Sequence, residues 1–217
     1  MYLPNHFSAP SQAAINQLVT DNPLASLIVL SSDSEQPWAV DPVPLMCAGE
    51  LAAGSSLWGH VARANPLWQN AGQAMAVFTG PRAYVSPNAY AAKQEHHRVV
   101  PTYNYATVQA FGQLQAHHDP SLKRDVVERL TNAFERSQPK PWSVSDAPAE
   151  YLEKMIAAIV VVELKITHIQ AKWKVSQNRS IADQEGVLRD LSQRHGMGED
   201  GAMAEIIRHN IQSKTTE

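Results

Sequence analysis

The chain has 217 residues, of which 44% are apolar and 18% charged, enough to bury a sizeable core and too apolar for wholesale disorder. A formal net charge of −3 supplies no global attraction to nucleic acid or to an anionic membrane, so any such contact needs a local basic patch. The single cysteine, Cys47, excludes an intramolecular disulfide and a thiolate metal site built within one chain.

In chain order, Pro4 and Pro10 frame an extended start, and Ser11 is placed to cap a short helix through Ile15, Leu18 and Val19 that Asn22-Pro23 stops. Leu24 to Leu30 reads as a buried strand, and Trp38 to Met46 as a second strand after a polar turn. Pro42 and Pro44 put their missing donors on one side, which suits a sheet edge or barrel rim. Leu57 to Gly59 reads as a strand broken by glycine, with a helix over Val61 to Asn70. Ala74 to Thr79 is strand-like, Gly80-Pro81 interrupts it, and Ala83 to Val85 resumes. Ser86-Pro87 then caps a short helix through Tyr90 and Lys93, and the polar segment up to Arg98 reads as a loop.

Val99 to Tyr105 leads into an alternating strand over Val108 to Gln115. Asp119-Pro120 starts a helix over Ser121 to Arg136, where Leu122, Val126, Leu130 and Phe134 make one apolar stripe. Pro148 to Ile156 reads as a helix, Ile159 to Ile166 and Ile169 to Val175 as two strands, and Ile181 to His195 and Gly201 to Asn210 as two terminal helices. The pattern predicts a mainly β, α+β architecture: a small antiparallel barrel with peripheral helices. Regular strand–helix alternation and a glycine-rich phosphate loop are absent, which argues against a parallel α/β sheet. The apolar run Ile156 to Val162 is too short to cross a bilayer, and MYLPNHFSAP has neither a basic nor an apolar leader region. A cytoplasmic setting without membrane association is expected.

Chemistry-bearing residues gather at four places. His60, Arg63 and Asn65 follow Gly59, where a helix start and a guanidinium fork suit a phosphate; equally, His60 caps the helix and Arg63 is solvated. Tyr84 and Ser86 share a strand face. In Pro101 to Tyr105, Thr102 and Asn104 lie on one side and Tyr103 and Tyr105 on the other, a mixture able to hold a flat aromatic ligand by its faces and polar edge, or else tyrosines at a barrel rim. Lys172, Lys174, Ser176 and Asn178 alternate along one face, with Gln177 and Arg179 beside them. They suit a phosphate, including that of a nucleic acid, or an exposed basic edge strand. The pairs His96-His97 and His117-His118 lack chelating spacing, so no metal is expected. No nucleophile elbow is present, catalytic residues are unassigned, and Asp41, Asp146 and Glu163 are too scattered to read as a carboxylate pair.

Six of these stretches, in collinear order, resemble the PaiB family of FMN-binding negative transcriptional regulators: MYLPNHF (Met1 to Phe7), GHVARANP (Gly59 to Pro66), Gly80 to Tyr90, VPTYNY (Val100 to Tyr105), WSVSDAPAEY (Trp142 to Tyr151) and Lys172 to Asn178. The resemblance, which runs to about residue 191, implies an FMN-binding split β-barrel, pyridoxamine-phosphate-oxidase-like; the change in character after Ser176 places that domain over residues 1–178, with a C-terminal helical extension over residues 179–217 packed on it. The resemblance also implies a homodimer with FMN at the subunit interface, and DNA or a regulatory protein as a further partner. The implied phosphate and interface residues are His60, Arg63, Asn65, Lys172, Lys174, Ser176 and Gln177; Tyr84, Ser86, Thr102, Asn104 and Tyr105 fall near the ring. The chain departs from the family pattern at Asp41, Ala89 and Tyr103, where a nearby histidine and two tryptophans are expected. A flavin-dependent oxidoreductase acting on a small molecule is the alternative function, because the flavin itself carries redox chemistry.

Overall fold

The computed structural model describes residues 1–31, 35–195 and 198–215. Its strands are β1 (Leu24–Leu30), β2 (Trp38–Pro44), β3 (Met46–Cys47), β4 (Ser56–Ala62), β5 (Gly72–Val85), β6 (Thr102–His117) and β7 (Ile159–Lys174). Its helices are α1 (Gln12–Asp21), α2 (Ala92–His96), α3 (Pro120–Glu135), α4 (Ala149–Ala157), α5 (Ile181–His195) and α6 (Glu199–Thr215). Among the described residues the strands form one sheet in the order β2-β1-β5-β6-β7-β4-β3, and β1–β2, β1–β5, β3–β4 and β4–β7 pair antiparallel. The mainly β expectation with peripheral helices holds. No described helix is long and apolar enough to cross a membrane.

The contacts divide the chain into two compact units: residues 1–18, 79–108 and 170–217 in one, and residues 19–78 and 109–169 in the other. In the first unit, α5 and α6 pack together through Val187, Leu191, Met203, Ala204 and Ile207, all buried. Gly186 of α5 lets the carbonyl of Ala89 approach so closely that a Cβ there would sit 2.0 Å from its oxygen. Gly80 fits the same way against Leu18, 2.8 Å from a built Cβ. It therefore marks a packing contact, and β5 runs through Gly80-Pro81 without the expected interruption.

In the second unit, Ala25, Leu27 and Val29 of β1 are fully buried while Leu24 and Leu30 face outward. β1 is thus half-buried, where the unbroken apolar run suggested burial on both faces. β2 lies at the end of the strand order, with Pro42 opposite Ser26 and Pro44 opposite Leu24, as the two prolines predict. It stops at Pro44, and Leu45 turns its N–H to the Pro23 carbonyl at 2.9 Å.

The largest correction concerns Gly59. No helix starts there: β4 continues to Ala62 and pairs residue by residue with β7, from Ser56 opposite Lys165 to Ala62 opposite Ile159. A Cβ at Gly59 would stand 2.5 Å from the Pro44 carbonyl oxygen and 2.8 Å from Leu45. The glycine is there for close packing, and the helix expected over Val61 to Asn70 reduces to a 3-10 turn at Pro66–Asn70. Likewise, the two strands expected on either side of Thr167 are one, β7. The sequence reading of α3 is close: Asp119 accepts from the Leu122 N–H at 2.8 Å and opens the helix. Val126 and Leu130 pack on Val161, with Leu122, Met46 and Trp58 around them, while Phe134 at the end of the stripe is exposed.

Candidate functional site

Six of the expected ligand-binding residues meet in the first unit, where the ends of β6 and β7 bring them together. Asn104 is fully buried; its amide donates to Ser176 Oγ at 2.9 Å and its carbonyl accepts from that hydroxyl at 3.2 Å. Ser176 holds a left-handed backbone, φ +67°, which ends the strand alternation at Lys174. Lys174 Nζ donates to Thr102 Oγ1 at 2.6 Å and to the Tyr103 carbonyl. Its pKa is lowered by burial first, then by the positive charges of Lys172 and Arg179. Lys172 is buried, donates to the Tyr2 carbonyl at 3.0 Å, and stands 5.6 Å from the Tyr105 ring centroid. The alternative of a solvated basic edge strand fails at Lys172, which is buried and bridges to Ser8; Lys174 is half-buried.

The other three candidates of this unit hold local positions. Gln177 folds back on its own strand end, accepting from the Val175 N–H at 2.8 Å and donating to the Trp173 carbonyl. Ser86 caps the 3-10 turn Pro87–Ala89, accepting from the Asn88 N–H. Tyr84 meets Tyr103 edge-on at 5.6 Å between ring centroids. Arg179, 5.0 Å from the Tyr90 ring, completes a set of three cations among aromatic rings. Burial pushes the Tyr90 hydroxyl up, against the opposing pull of Arg179.

In the second unit, His60 projects from the middle of β4, opposite Val161. Its Nδ1 is buried and is the one such side-chain atom without a hydrogen-bond partner among the described residues. Burial lowers its pKa, which keeps the imidazole neutral. Arg63 lies in the turn after β4, its Nε donating to the Ala157 carbonyl at 2.9 Å. Asn65 caps the 3-10 turn by accepting from the Leu67 N–H at 2.8 Å, and donates to Asp41 at 3.0 Å. These three are thus held by strand and turn, with no helix N-terminus behind them.

In the second unit two buried polar groups escape the sequence reading. Glu163 accepts from Ser56 Oγ at 2.7 Å and meets His117 Nε2 at 2.9 Å, beside the Trp58 ring. The signal was a lone carboxylate inside the run VVVEL. Lys123 is only 2% exposed on α3; it falls three and seven residues before Val126 and Leu130, on the helix face that is otherwise apolar. Among the described residues no group of three or more His, Cys, Asp or Glu could hold a metal ion.

Comparison with known proteins places this arrangement. Residues 1–168 match the family model described as "Putative FMN-binding domain". An uncharacterized protein of Emericella nidulans is 30% identical over 99% of both chains. Protease synthase and sporulation protein PAI 2 of Bacillus subtilis is 27% identical over 88% of this chain and 89% of its own. In fold, the chain is similar to the flavocytochrome Anf3 of Azotobacter vinelandii, with a TM-score of 0.55 at 16% identity over 79% of this chain and 72% of that one. It is similar too to the conserved hypothetical protein Rv2991 of Mycobacterium tuberculosis, with a TM-score of 0.55 at 9% identity over 80% and 90% of the two chains. The match covers all but the last 49 residues (217 − 168), so the mainly β scaffold with its helices is that of the FMN-binding split barrels, and the chain belongs to this family of FMN-binding domains.

Proposed function

We propose that this chain is a PaiB-type regulatory flavoprotein: a homodimer that carries FMN and lowers transcription, directly or through another protein, according to the state of its flavin. The buried, unpaired Nδ1 of His60 carries the cofactor part of this reading. A buried polar atom without a partner costs free energy, and a flavin's ring edge offers donors and acceptors to meet it. Lys172 and Lys174, five and three residues before Gln177, suit a phosphate, and so, within the second unit, does Arg63. Thr102, Asn104, Tyr84, Ser86 and Tyr105 suit the ring, and Asn65 and Ser176 hold neighbouring backbone and side chains in place. When bound, FMN supplies a ring that exchanges one or two electrons. The regulatory part rests on the six collinear stretches that resemble the PaiB regulators.

An apolar face supports the dimer. On the outward side of β1 and β2, Leu24, Leu30, Trp38 and Val40 are 61%, 43%, 61% and 56% exposed, with Leu30 directly opposite Trp38. A row of this kind at a sheet edge invites burial against a second copy. The visible absorption spectrum of the purified protein, with and without added FMN, tests the cofactor. Titration of its promoter DNA against salt tests repression: a sequence-specific complex is expected, and none at low salt removes direct DNA binding.

The neutral imidazole of His60 favours a second reading, a flavin-dependent oxidoreductase, because Nδ1 is free to hold or pass a proton. Rapid mixing of the flavin-loaded protein with NADH or NADPH separates the two readings. Bleaching by either supports the enzyme, and a flavin that ignores both supports the regulator.

A further inference from the structure

The second unit holds a cavity of about 630 Å³ that none of the expected site residues except Arg63 reaches. Its lining includes Arg63, His118, Lys123 and Arg124, together with the first turn of α3 at Pro120 and Ser121. Lys123 is the unusual member. It is 2% exposed yet lines the cavity, and among the described residues its ammonium has no hydrogen-bond or ion-pair partner. Its stem is buried while its ammonium tip opens into the cavity, and a lysine so nearly enclosed is ordinarily paired. Burial first, and then the positive charge of Arg63, lowers its pKa.

The carboxylates at the cavity do not resolve this. Asp125 is engaged by Arg129 one turn along α3. Glu128 and Glu153 are exposed on the lining, and neither comes within 4.0 Å of the Lys123 ammonium. Two cations that converge without a counter-charge are costly alone and favourable around an anion.

We propose that this cavity binds a phosphate group, with Lys123 and Arg63 as its two charged ligands. The anion is either the phosphate of the flavin or that of a separate phosphate ester. Only the first source depends on the flavin reading above.

Lys123→Met in the full chain tests the site. It keeps the length of the side chain and removes the charge, so its melting temperature in phosphate-free buffer should equal or exceed that of the parent. Titration with inorganic phosphate at constant ionic strength, followed by 31P NMR, should give saturable binding to the parent and at least a tenfold loss in the variant. Arg63→Gln, an exposed change, should weaken phosphate in the same direction and stands in if the methionine variant does not fold. FMN and riboflavin then identify the source. Loss of affinity for FMN but not riboflavin in Lys123→Met assigns the flavin phosphate, whereas unchanged FMN binding with lost phosphate binding assigns a separate ester; both support the site. A parent that binds phosphate no better than chloride, or variants that bind it as tightly as the parent, overturns the proposal, whatever the flavin spectrum.

Discussion

Individual side chains in this protein are decided by whether a buried polar group finds a partner. Asn104 and Ser176 satisfy each other, and neither is exposed by more than 4%. Replacing Asn104 by Ala removes the amide partner of the Ser176 hydroxyl and should cost about 1–3 kcal/mol in urea unfolding, whereas a change below 0.5 kcal/mol would mean that water or the Tyr90 hydroxyl replaces the amide. His60 is the contrasting case. Its pKa is lowered by burial, so below its ordinary value near 6.5 the unfolded chain takes up a proton that the folded chain refuses. Stability in the flavin-free protein should therefore fall as pH drops below 6.5, and His60→Gln should flatten that slope; parallel pH–stability curves for the two proteins would remove His60 as the cause. The residue types at both places are plain in the sequence. Which of them end up paired is not, because Asn104 and Ser176 are 72 positions apart and meet only through the pairing of strands.

At the level of elements, glycines set how closely neighbours approach. A Cβ at Gly112 of β6 would lie 2.0 Å from the Lys165 carbonyl oxygen of β7, and one at Gly186 equally close to Ala89. Neither obstacle is a flexible side-chain tip, so Gly112→Ala and Gly186→Ala should each destabilise the protein by roughly 1–3 kcal/mol. Thermal melts showing either variant as stable as the parent would mean that the backbone yields at no cost. Apart from the helix expected over Val61 to Asn70, the helices were read closely from caps and periodicity: Asp119-Pro120 opens α3, and Ile181–His195 is α5 to the residue. The strands were read too short. Gly59, Gly80 and the Thr167-His168 pair look like punctuation in one dimension, yet β4, β5 and β7 run through all three. A glycine that makes room for a neighbouring strand and a glycine that breaks one have the same local signature.

For the whole molecule, the exposed row at β1 and β2 predicts self-association. If the proposed dimer forms through this row, Trp38→Glu, which places a charge at its centre, should shift it toward monomer in light scattering at micromolar concentration; a dimer of unchanged mass would locate the contact elsewhere, and a monomeric parent would remove the dimer. If Arg63 contacts the flavin phosphate, Arg63→Ala should weaken FMN by about 1.5–3 kcal/mol, the loss of one charge-assisted contact, and an unchanged dissociation constant would exclude that contact. Taken alone, the sequence determined the mainly β architecture, the helix caps, the sheet-edge position of the paired prolines and, through six collinear stretches, membership of an FMN-binding family. Those features are encoded locally, in turn chemistry, periodicity and short motifs. Only the tertiary structure decided that β4 carries His60 without a helix behind it, that Lys172 is enclosed, and that Glu163 and Lys123 are buried. Burial and partnership belong to pairs of residues far apart in the chain, and no single stretch contains the neighbour that fixes them.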